Sequence, residues 1–138
     1  MLSSAASSRL RRPWLTCLRE RGSASIEMVV LMPALFAIMF LGMQAALFYH
    51  AGSLAAAAAQ EGARVAGAER GSAAAGISEA GAYVADVAGD SLTHPRVTGS
   101  RNAQTATVTV RGRSLSVVPG WNQTVTKSAT VPVERVTQ

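Results

Sequence analysis

Met28–Phe48 is a run of 21 residues in which Gln44 is the one strongly polar side chain. As an α-helix rising about 1.5 Å per residue it would extend about 31 Å, the thickness of a bilayer's hydrocarbon core. A helix apolar on all sides must be covered all round, by protein or by lipid. The chain has 138 residues, only 5% of them aromatic, and alanine supplies 26 of its apolar side chains. So few large apolar residues cannot wrap such a helix, so lipid is the expected cover. Pro33 and Gly42 are tolerable in a membrane helix. Tyr49 closes the run with a residue suited to the membrane–water interface.

Charge gives the run a direction. The chain carries 13 basic and 8 acidic residues, a formal +5. Five of the basic residues are Arg9, Arg11, Arg12, Arg19 and Arg21, opposed in that stretch only by Glu20. Basic residues collect on the cytoplasmic side of a span. The N-terminus is therefore expected in the cytoplasm and the C-terminal part outside, as a single pass through the cytoplasmic membrane. The basicity that would otherwise suggest nucleic-acid binding is then a topology signal, and no nucleic-acid partner is expected. The single cysteine, Cys17, lies in the basic leader, so the exported part can form no disulfide.

The leader departs from an ordinary secretory signal, whose apolar region has 7–15 residues and is followed by its cleavage site. Here the run is longer and is entered through a carboxylate, Glu27, which is costly at a membrane boundary. The segment Glu20-Arg21-Gly22-Ser23-Ala24-Ser25-Ile26-Glu27-Met28 sets basic residues, a glycine and a carboxylate before the apolar run. Gly22 allows the extended backbone that a narrow protease cleft needs. A cut there would leave an ammonium on Ser23, with Glu27 one helical turn away and favoured by the helix dipole. In a filament Glu27 could instead neutralise the ammonium of a neighbouring subunit, since buried charges need partners. The plainer alternative makes Glu27 a surface carboxylate at a helix start.

This order resembles the class III signal of type IV prepilins. That resemblance implies cleavage by a prepilin peptidase between Gly22 and Ser23, with the apolar stretch retained. Removal of five Arg and one Glu would bring the mature chain to about neutrality, at +1. Together with Pro33 in the span and Ala58-Ala59-Gln60-Glu61-Gly62-Ala63-Arg64 beyond it, the segment is similar to TadE-like proteins, minor pseudopilins of tight-adherence (Flp) pilus systems. Val118-Pro119-Gly120 and Val131-Pro132-Val133-Glu134-Arg135 are similar to the actinobacterial branch of that family. Met28 departs from the pattern, which more often has an aromatic residue there. The resemblance implies a part in pilus assembly, with other pseudopilins, pilus assembly proteins and the cytoplasmic membrane as partners.

Beyond the span, Ala51–Ala68 is alanine-rich and is expected to continue the helix outside, its small residues permitting close helix approach. Glu61 and Arg64 form an i,i+3 pair of structural kind. After Glu69-Arg70-Gly71, Ser72 is a candidate N-cap. Ile77, Ala80, Val84 and Val87 then recur at helical spacing, with Glu79 and Asp86 on the other face and Gly89 as a C-cap. From Thr105 the period becomes two. The pattern predicts a strand over Thr105–Arg111, a turn at Arg111-Gly112-Arg113, a short strand through Leu115 and Val117, a turn at Pro119-Gly120, and a strand over Thr124–Val136 interrupted by Lys127. Pro132 favours an edge or a bulge. Trp121, beside the turn, is expected in the small core, with an exposed contact to a partner as the alternative.

No catalytic residue stands out. His50 and His94 lack a cluster of further ligands, so no metal is expected. Phosphate loops, nucleophile elbows and HExxH are missing, so no cofactor is expected. Asn122-Gln123-Thr124 matches a glycosylation triplet, a short and weak signal. The chain is expected to be a peptidase's substrate and no enzyme. The expected architecture is α+β and membrane-anchored: leader 1–22, membrane helix 23–50, external helical segment 51–103 and a small antiparallel β-rich segment 104–138. The alternative in function is an uncleaved single-pass membrane-anchored envelope or binding protein.

Overall fold

The computed structural model describes the backbone of residues 14–135 and the side chains of residues 25–135. Its elements are helix α1 (Trp14–Gly67), helix α2 (Ala73–Tyr83), a π-helical turn Val84–Ala88, a 3₁₀ turn Gly89–Ser91, and strands β1 (Leu92–Arg101), β2 (Thr105–Ser114) and β3 (Thr124–Pro132). This is the expected α+β class: a long apolar helix, a second helix and an antiparallel three-stranded sheet in the order β1-β2-β3. Two compact units divide the chain, Met1–Met39 and Phe40–Gln138.

In the first unit every described side chain, Ser25 to Met39, stands exposed on α1, the large apolar ones included. Pro33 lies inside the helix. It has no N–H to offer the carbonyl of Val29, a vacancy that a helix in lipid fills from a neighbour.

The second unit builds its core from very small side chains. Ala51, Ala55, Ala58, Ala59, Ala63 and Ala66 of α1 are fully buried. Their spacing puts them on one face of the helix. Gly62 meets Gly76 of α2 so closely that a Cβ on Gly62 would stand 2.5 Å from the Gly76 carbonyl oxygen and 2.8 Å from Ala80 Cβ. Ser72 caps α2 as expected, its hydroxyl accepting from the Ala75 N–H at 3.0 Å. The buried set of the α2 region is Gly76, Ala80, Val84 and Ala88, a repeat of four carried through the π-helical turn. Val87, expected on this face, is instead exposed. Gly89 ends the segment at φ 46, where glycine carries no Cβ penalty.

The sheet differs from its expected strands at β1, at Gly112, at Leu115–Val118 and at the end of β3, which stops at Pro132. It begins at Leu92, within the stretch read as helical, because β1 precedes the first expected strand. In β1, His94 (φ 50) and Pro95 face Gly112 as two residues against one, a β-bulge between Thr93 and Arg96. The expected turn at Gly112 is the interior of β2, paired with Val125. The missing side chain is filled by Leu92, whose Cγ would stand 2.6 Å from a Cβ there. Leu115–Val118 forms no strand. Leu92, Val108, Val110 and Val125 are buried in one cluster with the alanines of α1, where Val108 Cγ1 would stand 3.2 Å from a Cβ on Gly62. Cross-strand hydroxyl pairs Thr107–Thr130 (2.8 Å) and Thr109–Ser128 (2.9 Å) line the other face.

Arg101 ties the sheet to the end of α1. Its Nη1 donates to the carbonyls of Ala66 (2.7 Å), Ala68 (2.9 Å) and Gly71. Two of these acceptors lie in the last turn of α1 or just past it, where carbonyls lack helical partners. At the β1–β2 turn, Asn102 Oδ1 accepts from the backbone of Gln104 (2.8 Å) and Thr105 (2.7 Å).

Candidate functional site

Two places on α1 combine polar chemistry with the apolar run, one in each unit. In the first unit, Glu27 is exposed on the helix among Ile26, Met28, Val29 and Val30, themselves exposed. Among the described residues Arg64–Glu61 is the one ion pair, so no described cation meets Glu27. Gly22 and Ser23 lie within the helical backbone of α1. Their side-chain surroundings, and the leader arginines, lie outside the described residues. The structure therefore brings no described partner to Glu27, and a carboxylate on an apolar helix is costly to bury alone.

In the second unit, Gln44 is 3% exposed, unlike its apolar neighbours Leu41 and Met43. Its Oε1 accepts from the Val117 N–H at 3.0 Å, and its Nε2 makes a longer contact, 3.5 Å, to the Leu115 carbonyl. Ser116 completes the loop, donating to the Val118 carbonyl at 2.7 Å. The amide thus meets the Leu115 carbonyl and the Val117 N–H, which a β-ladder does not reach. Trp121 is not in the core: it is 43% exposed and shares a groove with Leu41, Ala45, Phe48 and Tyr49. The sequence held one signal for this site, the lone amide of the apolar run. Arg101 carried no signal, because its partners are carbonyls that any residue supplies.

Farther along α1, the Arg64 guanidinium donates to the Glu61 carboxylate through Nε (3.2 Å) and Nη2. This hydrogen bond holds the Glu61 carboxyl below the ordinary carboxylate range. The Arg64 side chain is largely exposed, and such a pair contributes little to stability. Among the described residues no group of three or more His, Cys, Asp or Glu could hold a metal ion.

A family model described as TadE-like protein matches residues 22–64. This segment is TadE-like. The match opens on Gly22, takes in Glu27 and the whole apolar run, and closes on Arg64. The TadE-like family points to tight-adherence pilus systems and to association with pilus machinery at the membrane. The helix of this segment is long and apolar enough to cross a membrane and fits a single-pass anchor. The match does not extend to the sheet, nor to the Val118-Pro119-Gly120 and Val131–Arg135 segments. No curated protein and no solved structure matches the chain.

Proposed function

We propose that the chain is a minor pseudopilin that takes part in assembling a tight-adherence pilus or a related secretion filament. It is inserted with its N-terminus in the cytoplasm and its C-terminal part outside. A prepilin peptidase cuts it between Gly22 and Ser23, so the chain is a substrate and no enzyme. Glu27 then neutralises the new Ser23 ammonium of an adjacent subunit. The observation that carries this reading is the TadE-like match that opens on Gly22 and spans Glu27 and the apolar run. The exposure of Glu27 without a described partner agrees with a carboxylate kept for another subunit.

The mass of the protein recovered from membranes tests the processing step. A mature chain beginning at Ser23 is expected; an intact leader overturns it. Glu27→Ala is expected to leave membrane insertion intact and to reduce piliation severely, read by electron microscopy of surface filaments. Undiminished pili in that variant would remove the neutralising role. The uncleaved anchor is the second reading, and one observation favours it: α1 runs unbroken through Gly22. Cleavage requires this stretch to unwind, which a glycine eases by about 1 kcal/mol relative to alanine.

A further inference from the structure

The sheet end that Arg113 and Thr124 close runs into a loop, residues 115–123, held by the Ser114 N–H donating to the Gln123 carbonyl at 3.1 Å. The loop lies along α1 at Leu41–Tyr49, tied down by Gln44. Leu115, Val117 and Trp121 are exposed on it, and beside them Leu41, Phe48 and Tyr49 are exposed on the helix, Tyr49 at 80%. The apolar surface of the helix therefore continues onto the loop at Trp121, which shares a groove with Leu41, Phe48 and Tyr49.

Cations come immediately after the apolar patch. Lys127 lies toward α1, with its Cε placed 3.5 Å from where a Cβ on Gly52 would stand. On the outer face of the sheet, Arg111 is registered directly against Arg96, and Arg113 beside Thr124. Like charges opposite one another destabilise a sheet. None of the four cations takes part in the one ion pair among the described residues. Asp86 and Asp90, exposed in the turns before β1, leave the cations in excess.

We propose that this end of the unit, the 115–123 loop with Arg96, Arg111, Arg113 and Lys127, docks on the anionic phospholipid surface around the chain's own span. Trp121, Val117 and Leu115 sit at the acyl boundary with Tyr49, and the four cations meet the lipid phosphates. Aromatic and apolar groups below and cations above is the profile of an interfacial membrane element. The Gln44 amide is thereby shielded from lipid by the loop. An acidic soluble protein would match the arginines and leave the apolar patch in water; a bilayer covers both. The proposal rests on α1 being a membrane anchor.

The test uses the full chain in nanodiscs, which expose both membrane faces. The chain has two tryptophans, so Trp14→Phe leaves Trp121 as sole reporter. In nanodiscs containing phosphatidylglycerol, lipids brominated near the headgroup should quench Trp121 more than lipids brominated near the chain ends, and acrylamide should quench it poorly. Zwitterionic nanodiscs should weaken that protection, and Arg111→Gln/Arg113→Gln should lower the docked-to-undocked ratio about fivefold per cation removed. Acrylamide quenching equal to that of free indole overturns the docking, and equal protection in both lipids overturns the role of the cations. A second protein, Trp14→Phe/Trp121→Phe/Phe36→Trp, reports the anchor. Deep bromines quenching Trp at position 36 while Trp121 stays open to water reject the docking alone. No quenching at position 36 rejects the anchor and the docking with it.

Discussion

One helix meets two different surroundings. Over Ile26–Met43, α1 carries Ile, Val, Leu, Phe and Met, most of them about half exposed or more. Over Ala51–Gly67 it carries chiefly alanine and glycine, and most of those are buried. Side-chain size thus runs opposite to burial. Bulky apolar groups left bare fit a membrane-crossing surface, because exposed apolar area of this extent in water would drive association. Small residues mark the surface that protein covers, because only they let α2 and the sheet approach the backbone. The core gained this way is poor in area per side chain at about 25 cal/mol per Å². Its stability rests on close approach, and changes that spoil the approach should dominate the energetics.

The same substitution in the two stretches gives the largest contrast. Gly62→Ala puts a Cβ 2.5 Å from the Gly76 carbonyl oxygen and 3.2 Å from Val108 Cγ1, so backbone must move against backbone. A loss of about 3 kcal/mol is expected, the upper part of the usual cost of overpacking. Gly42→Ala meets nothing within 4 Å and should cost nothing, or gain up to about 1 kcal/mol from helix propensity. Thermal unfolding followed by circular dichroism in detergent reads both. Equal effects at the two glycines would break the comparison.

Arg101→Ala comes next. It strips three carbonyls near the end of α1 of a shared, charged donor. Hydrogen bonds to charged groups contribute about 1.5–3 kcal/mol, so a loss of about 2 kcal/mol is expected. Arg101→Lys should restore part of it, since all three carbonyls converge on one nitrogen, Nη1, and an ammonium also offers three N–H donors, but from a differently shaped stem. Limited proteolysis near Gly71 would report the loosened joint. A variant as resistant as the parent would move the joint's stability onto the glycine contacts alone.

How legible each region was follows from the same contrast. The apolar run, the Ser72 cap and the alternation of Ala106, Val108 and Val110 are local signals, and the structure follows them. β1 was illegible because its pairing survives a bulge at His94-Pro95 and its inward face includes Gly99, close to Ile77. Gly112 looked like a turn because the residue that fills its vacancy, Leu92, is 20 positions away in sequence. Leu115 and Val117 alternate like a strand, yet their backbone is claimed by Gln44, more than 70 residues earlier. An aromatic beside a turn suggests a core position for Trp121, and the structure puts it on the outside with large residues of the run. Of the candidate site, the order Gly22, Glu27, apolar run is a matter of local spacing in the sequence; the Gln44 latch shows there only as an anomaly.

The smallest expected effect is the sharpest test of which surface lipid covers. Phe36 lies in the bulky stretch and is 52% exposed. Truncating a buried phenylalanine to alanine typically costs about 3–5 kcal/mol, because the protein around it keeps a cavity. Among the described residues Phe36 stands exposed, so in a membrane or a micelle lipid or detergent would close over the missing ring. Phe36→Ala should therefore change the unfolding of the Phe40–Gln138 unit by no more than about 0.5 kcal/mol, the range of surface substitutions. Its effect should fall instead on the helix's hold in the membrane, seen as easier extraction from vesicles at alkaline pH. A loss of several kcal/mol in unfolding, with extraction unchanged, would mean that protein covers this stretch, and the bulky half of α1 would then be an interface with another subunit even outside the filament.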